Sequence, residues 1–312
     1  MQGGGALGAY QVGVLKGLYT HLIEKGNYNK GESLFDIIAG TSIGAMNAAV
    51  LVSNLVNKNK NWDGAIKELE NFWTDDTGLS STPDFGKWWQ NNEDDLNKVY
   101  ASEEALGKYY SVKEYETHGT PRVCSAPFIL KPDTKFGDQK DNLWYHHTNK
   151  PLEDTIIRYS FNPDSEEKRI VTSLEKQQPR LLVISVDVAD GETVTFDSYH
   201  KEAEEPNNPV YYCDGITIDH IMASGTIPEF YDFRIIGGRQ FCDGGWLSNT
   251  PFRELLLAHQ KYWLRIIDKH KQKIPDLEIY IINNHPSQGP VIQDYDHDAV
   301  KDILVCSSYL CF

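Results

Sequence analysis

Residues 34–56 read LFDIIAG and then, without a break, TSIGAMNAAVLVSNLV. This junction constrains the fold more than any other stretch of the chain. A short apolar run bounded by glycine predicts a buried strand over 34–40. The small-residue segment after it, 41–56, predicts a helix that lies close to a sheet. At the junction stands GTSIG (40–44), the pattern G-x-S-x-G. With 24 glycines in the chain, composition alone produces such a string roughly one time in ten, so the weight rests on its context. A serine between a strand and a helix has the setting of a nucleophile elbow, a sharp turn that exposes the hydroxyl. Side chains at Gly40 and Gly44 would collide across that turn. A helix starting near Ile43 points its positive end at a developing oxyanion. The plainer alternative for Ser42 is a helix N-cap.

The chain opens MQGGGALGAY. Gly3, Gly5 and Gly8 fit G-x-G-x-x-G, the dinucleotide fingerprint, but that fingerprint needs a strand in front and an acidic residue about 20 positions on, at the end of the next strand. Glu24 has the distance yet falls inside a predicted helix, and the next strand ends in Gly40-Thr41-Ser42. No G-K-[ST] phosphate loop is present. Backbone amides at a helix N-terminus also suit an oxyanion. Assigning Gly3, Gly4 and Gly5 to an oxyanion hole beside Ser42 explains both glycine motifs together, and one such donor is worth about 3–4 kcal/mol in a transition state.

CDGGWLSNTP (242–251) is a second constellation. Asp243 closes a predicted strand, and Gly244 and Gly245 let the backbone turn. An Asp-Gly turn is common in its own right. A carboxylate at a strand end also serves as a general base, provided burial raises its ordinary pKa near 3.9.

Elsewhere, apolar spacings of three and four predict helices over 7–25 and 63–74. Strands are expected at 180–190, at 194–199 after an Asp190-Gly191 turn, and at 277–284. Residues 216–231 are expected to be helical until the glycine and proline. Residues 233–245 read as a hairpin turning at Gly237-Gly238, and Pro251 opens a helix over 250–263. Strands alternating with helices imply a single α/β domain with a mainly parallel sheet. Residues 75–170 are polar yet rich in aromatics. They read as an insertion or cap, with a short helix near 93–110.

A net charge of −15 argues against nucleic acid as the main partner and against electrostatic attraction to anionic membranes. Hydrophobic residues at 40% and charged residues at 24% are enough for a sizeable core. The five cysteines, Cys124, Cys213, Cys242, Cys306 and Cys311, contain no C-x-x-C and read as incidental thiols of a reducing compartment. No run reaches the ~18 apolar residues of a membrane span, and no signal-peptide pattern opens the chain. The expectation is a cytoplasmic protein. His146-His147 and Asp296-His297-Asp298 lack a partner set at ligand spacing and read as solvated loops rather than a metal site.

GGGALGAYQVGVL, GTSIGAMNAA, ASGTIPEFY and DGGWLSNTP, in this order, resemble the patatin-like phospholipase family. The resemblance covers 3–56 and 216–257. It implies a three-layer α/β/α fold and a serine lipid acyl hydrolase that works without metal or organic cofactor. Ser42 would be the nucleophile, Asp243 the base, and Gly3 to Gly5 the oxyanion hole. The implied substrate is a lipid or related ester, with transient peripheral membrane contact. Many members carry Arg or Lys where this chain has Leu7, so cationic help with a lipid phosphate is not implied and neutral esters are admitted. The family also places a strand before the glycine run. Two other arrangements stay open. His285 completes the order Ser42, Asp243, His285 of an α/β-hydrolase triad, and the other is a non-catalytic lipid-binding protein with a decayed site, against which the presence of Ser42, Asp243 and the glycines speaks.

Overall fold

The computed structural model describes residues 1–24, 33–58, 60–75, 77–79, 119–120, 122–125, 147–162, 168–173, 175–199, 211–213, 215–228, 230–266, 274 and 276–284. Contacts divide the chain into two units. The first comprises Met1–Glu70, Ile156–Pro228 and Phe233–Phe312, and the second Asn71–Thr155 and Glu229–Asp232.

The first unit is organised on one long strand, β5 (Arg180–Asp187), every residue of which is buried. Its sequence, RLLVISVD, is the continuous apolar run expected when both faces are covered. Strand β1 (Ile37–Thr41) runs parallel to it, with Ile37 opposite Arg180 and Thr41 opposite Ile184. Strand β6 (Glu192–Asp197) pairs antiparallel along the other edge of β5 and is flanked in parallel by β7 (Tyr211–Cys213). Strand β10 (Arg239–Asp243) pairs antiparallel with the last three residues of β5 and with β9 (Arg234–Ile236).

The sheet is therefore mixed rather than mainly parallel. The physical reason lies in its connections. Parallel neighbours need a crossover of a dozen or more residues, whereas a two-residue turn forces antiparallel pairing. Gly191, at φ 64°, closes the short β5–β6 connection, and Gly237 and Gly238, at 58° and 82°, close β9–β10. Away from the main sheet, β4 (Arg169–Ile170) pairs with β8 (Ile216–Thr217).

Helix α1 is Gly8–Glu24, preceded by a 3₁₀ turn over Gly5–Leu7. Helix α2 is Ile43–Val56, and α3, Trp62–Thr74, and α4, Lys150–Ser160, follow. Helix α5, Ile218–Ser224, is capped by the Thr217 side chain in a reciprocal box with His220 and stops at Gly225. The expected helix does stop at the glycine, Gly225, but it starts at Ile218 because Ile216 and Thr217 belong to a strand. Helices α6 (Gly245–Ser248) and α7 (Phe252–Ile266) complete the described set.

One face of the sheet buries Ala39, Leu182 and Ile184 against Ala258 of α7, with Ile37 and Leu255 packed alongside. The alternation of strand side chains turns Ile38, Leu181 and Val183 to the other face. They too are buried, beneath α2 and α5, which contact β1, β5 and each other. Ala45, Ala48 and Ala49 of α2 are fully buried, so their small side chains allow the close approach. This is the three-layer α/β/α arrangement.

Residues 277–284 form no strand. Gln2 donates its amide to Ile282 O at 3.3 Å, and one such contact does not make a ladder. Ile282 and Asn284 are buried, whereas Ile281 is 57% exposed.

In the second unit, β2 (Gly119–Thr120) and β3 (Cys124–Ser125) pair antiparallel. The Arg122 guanidinium donates to Gly78 O at 3.3 Å. His147 is buried, its amide donating to Phe230 O at 2.6 Å, so it is not the solvated histidine expected. The expected helix near 93–110, most of the expected cap, His146, His285 and 296–298 lie outside the described residues. Cys124 and Cys242 are buried.

Candidate active site

Ser42 occupies the junction between β1 and α2. Its backbone is at φ 54°, ψ −127°, a left-handed conformation that costs a non-glycine residue about 1–3 kcal/mol. The strain has visible supports. The Ser42 carbonyl accepts the Ala45 amide at 2.9 Å and the Met46 amide at 3.2 Å, opening α2. The Ser42 amide donates to Ser224 Oγ at 2.9 Å. Thr41, just before it, donates its hydroxyl to Ser248 O at 2.8 Å. A side chain on Gly40 would overlap the Gly44 carbonyl, and one on Gly44 would meet Met1 O at 2.5 Å. The elbow glycines therefore serve two different approaches: the turn against itself, and the turn against the start of the chain.

That start lies along β1. The Met1 nitrogen donates to Ala39 O at 2.7 Å and Met1 O accepts the Thr41 amide at 3.3 Å. This leads the glycine run straight past Ser42. A Cβ on Gly3 would lie 3.0 Å from Ser42 Cβ and overlap Asn249 Oδ1. The Gly3 amide already donates to Asn249 O at 3.1 Å. Among the described residues the Gly4 and Gly5 amides have no acceptor, whereas the Gly3 amide is engaged. Beneath it is a buried amide network. Gln11 Nε2 donates to Gln2 O at 2.5 Å, and Asn47 Nδ2 donates to Gly8 O and Gln11 Oε1, both at 3.0 Å. Asn284 holds the other side, with its amide on Gln2 Oε1 at 2.7 Å and Nδ2 on Gly3 O at 3.3 Å.

Asp243 is the last residue of β10 and is buried. It pairs with Ser185, the residue next to Ile184, which pairs with Thr41. Since β1 runs parallel and β10 antiparallel to β5, their C-terminal ends meet on one edge of that strand. Ser42 and Asp243 come together there although they are far apart in sequence. The Asp243 amide donates to Thr226 O at 2.8 Å, and its Oδ1 accepts the Gly245 amide at 2.7 Å. A Cβ on Gly244 would meet Ile184 O at 2.5 Å, so only glycine lets the base loop cross β5 at this point.

A strained serine, a buried carboxylate and an amide-bearing glycine run thus converge at one end of the sheet. Residues 1–256 match the patatin-like phospholipase family, and the match spans every one of these residues. The chain belongs to the patatin-like phospholipase family. Its three-layer arrangement, with the strand–turn–helix at Ser42, is the patatin fold of that family. Comparison with curated proteins gives no match. Among solved structures, the chain is similar to VipD from Legionella pneumophila, at 12% identity and a TM-score of 0.34. The alignment covers 79% of this chain and 45% of that one, so the chain spans less than half the length of that structure.

Sequence reasoning quoted the patatin motifs but assigned no role to Ser224 in ASGTIPEFY or to Asn249 in DGGWLSNTP, and it missed Asn284. A polar residue inside a glycine-bearing motif is the signal that was there to be used. A cavity of about 370 Å³ lies elsewhere, at the opposite end of β1, between Leu15, Ile38, Arg180 and Trp263. It touches neither Ser42 nor Asp243. Among the described residues no group of three or more candidate metal ligands occurs, and no helix is long and apolar enough to cross a membrane.

Proposed function

We propose that the protein is a serine lipid acyl hydrolase of the phospholipase A or esterase type, working through a Ser42–Asp243 dyad. The observation that carries this reading is the register on β5, where the partners of Thr41 and Asp243 are the consecutive residues Ile184 and Ser185. Ser42 Oγ attacks the ester carbonyl carbon as the Asp243 carboxylate takes the hydroxyl proton. The oxygen of the tetrahedral intermediate gathers negative charge beside the Gly4 and Gly5 amides and the N-terminus of α2. Collapse breaks the ester C–O bond, and Asp243 returns the proton to the leaving alcohol. In the second half Asp243 takes a proton from water, whose oxygen attacks the acyl-enzyme. Collapse then releases the fatty acid and restores the Ser42 hydroxyl.

Peripheral contact with a lipid surface is part of the same proposal. Trp246 and Leu247 directly follow the base-loop glycines and are 58% and 55% exposed. Exposed aromatic and aliphatic side chains beside a site suit the boundary between lipid and water.

The test is hydrolysis of a short-chain ester and of phosphatidylcholine by the wild type and by Ser42→Ala, Asp243→Asn and His285→Ala, with folding verified by circular dichroism. Activity lost in the first two and kept in the third supports the dyad. Loss in His285→Ala moves the mechanism to a triad. A folded wild type that neither hydrolyses ester nor reacts with a fluorophosphonate overturns the enzymatic reading in favour of lipid binding alone.

A further inference from the structure

Helix α5 ends in Ser224-Gly225-Thr226, and this turn holds the backbone of both Ser42 and Asp243. Ser42 lies past the end of β1 and caps α2, so its amide belongs to neither the strand ladder nor the helix. A buried amide in that position needs another acceptor. Ser224 is fully buried and supplies one, its Oγ accepting the Ser42 amide at 2.9 Å. A hydroxyl has a single hydrogen, and that of Ser224 is directed at Ile184 O. Its lone pairs are thereby turned to Ser42. Ile184 is also the β5 residue paired with Thr41, so one side chain ties the elbow to the strand on which the site is built.

Two residues on, Thr226 O accepts the Asp243 amide at 2.8 Å. The turn is itself closed by Thr226 Oγ1 donating to Met222 O at 2.8 Å and by the Gly225 amide on the same carbonyl at 3.1 Å. Met46 of α2 packs where a Cβ on Gly225 would stand, which locks the turn against the nucleophile's own helix.

We infer that the Ser224–Thr226 turn is the clamp that sets the spacing of Ser42 and Asp243, with Ser224 a positioning residue for the nucleophile. The inference rests on the dyad reading for its catalytic consequence, whereas the clamp itself is a matter of backbone geometry. Without the Ser224 hydroxyl, the Ser42 amide loses its acceptor and the left-handed elbow loses one of its supports.

The experiment compares the wild type, Ser224→Ala and Ser198→Ala. Ser198 is a buried serine whose Oγ accepts the Leu181 amide at 2.8 Å, so Ser198→Ala removes the same kind of acceptor from β5 while leaving the Ser224–Thr226 turn intact. Hydrogen–deuterium exchange over the peptide spanning 38–46 reports the elbow. Turnover of a p-nitrophenyl ester and the rate of labelling by a fluorophosphonate report the nucleophile, and thermal unfolding reports stability.

Ser224→Ala is expected to speed exchange at the elbow and to lower kcat and the labelling rate about 10- to 100-fold, the scale of a displacement near 1 Å, with KM unchanged. Ser198→Ala should keep wild-type exchange at the elbow and wild-type kcat even if its melting temperature falls. Wild-type exchange and kcat in Ser224→Ala overturn the clamp. So do parallel losses in both variants that track their melting temperatures. If Ser224→Ala does not fold, Ser224→Cys, with its weaker donor and acceptor, is judged on the same measures. If the wild type hydrolyses nothing, the dyad reading fails and the exchange measurement alone decides the clamp.

Discussion

Gly3 and Asn249 bind each other in both directions. The Gly3 amide donates to Asn249 O at 3.1 Å, and Asn249 Nδ2 reaches Gly3 O at 3.4 Å. Asn249 lies six residues after Asp243, so this contact joins the base loop to the glycine run across the nucleophile. Asn249→Ala keeps the backbone half and loses the side-chain half. The expected result is a lower kcat with the fold intact and a modest loss of stability, about 1 kcal/mol for a single neutral hydrogen bond. Steady-state kinetics together with urea unfolding checks it, and an unchanged kcat would remove Asn249 from the machinery.

Gly3→Ala is a sharper test of the same place. Its methyl group would overlap Asn249 Oδ1 and press on Ser42 Cβ. Fluorophosphonate labelling of Ser42 should be nearly abolished while α-helical circular dichroism persists. Labelling at the wild-type rate would mean that the glycine run does not pass the nucleophile as described.

The elbow stores strain, so relieving it should stabilise the protein at the expense of activity. Ser42→Gly removes the Cβ that makes φ 54° unfavourable, and stability is expected to rise by about 1 kcal/mol with hydrolysis lost. Thermal unfolding of Ser42→Gly and Ser42→Ala side by side separates strain from side-chain loss, because alanine keeps the Cβ. Equal melting temperatures for the two would show that the conformation costs nothing.

Asp187 makes stability depend on acid. Its buried carboxylate receives the Arg239 guanidinium at 2.5 Å. That partner, together with the Asp190 and Ala189 amides, holds its pKa below the ordinary 3.8 against the opposing effect of burial. The folded state therefore binds fewer protons than the unfolded chain when pH is low. The contribution is complete above about pH 4 and is lost as pH falls through the folded value. Asp187→Asn should be less stable at neutral pH and show a shallower loss of stability below about pH 4. Urea unfolding across that range measures it, and parallel curves for the two proteins would refute the assignment.

A buried ion pair supports the sheet. Arg180 Nε donates to Asp197 Oδ2 at 2.9 Å, Nη1 donates to Ala258 O at 3.2 Å, and the Tyr199 ring centroid lies 4.7 Å from the guanidinium carbon. Arg180→Ala would strand the fully buried Asp197 carboxylate, at a cost of about 3–5 kcal/mol. The paired replacement Arg180→Met with Asp197→Leu should recover much of that loss, because the penalty comes from the unmatched charge. Denaturant midpoints decide the matter, and a double variant as unstable as Arg180→Ala would place the penalty in packing instead.

Much of the site was legible along the chain because it is built from local devices. The strand-turn-helix at 37–56, the turn at Gly237-Gly238 and the carboxylate at the end of its strand depend on backbone rules that act over a few residues. The candidate residues Ser42 and Asp243 and the glycine run are readable from those rules and from the family motifs. Sheet order could not, since strand direction depends on which partners meet. The mixed pairing around β5 appears only when β1 and β10 share its edge. The run at 277–284 has the composition of a strand but lacks the ladder of neighbours that would make it one. Ser224, Asn249 and Asn284 look like ordinary polar residues until folding brings their hydrogen bonds to Ser42 and Gly3. Sequence alone therefore determined the strand-turn-helix at Ser42 and the family motifs that carry the candidate residues, and tertiary structure decided what holds those residues in place. Long-range hydrogen bonds between distant residues leave no periodic trace in either partner's neighbourhood.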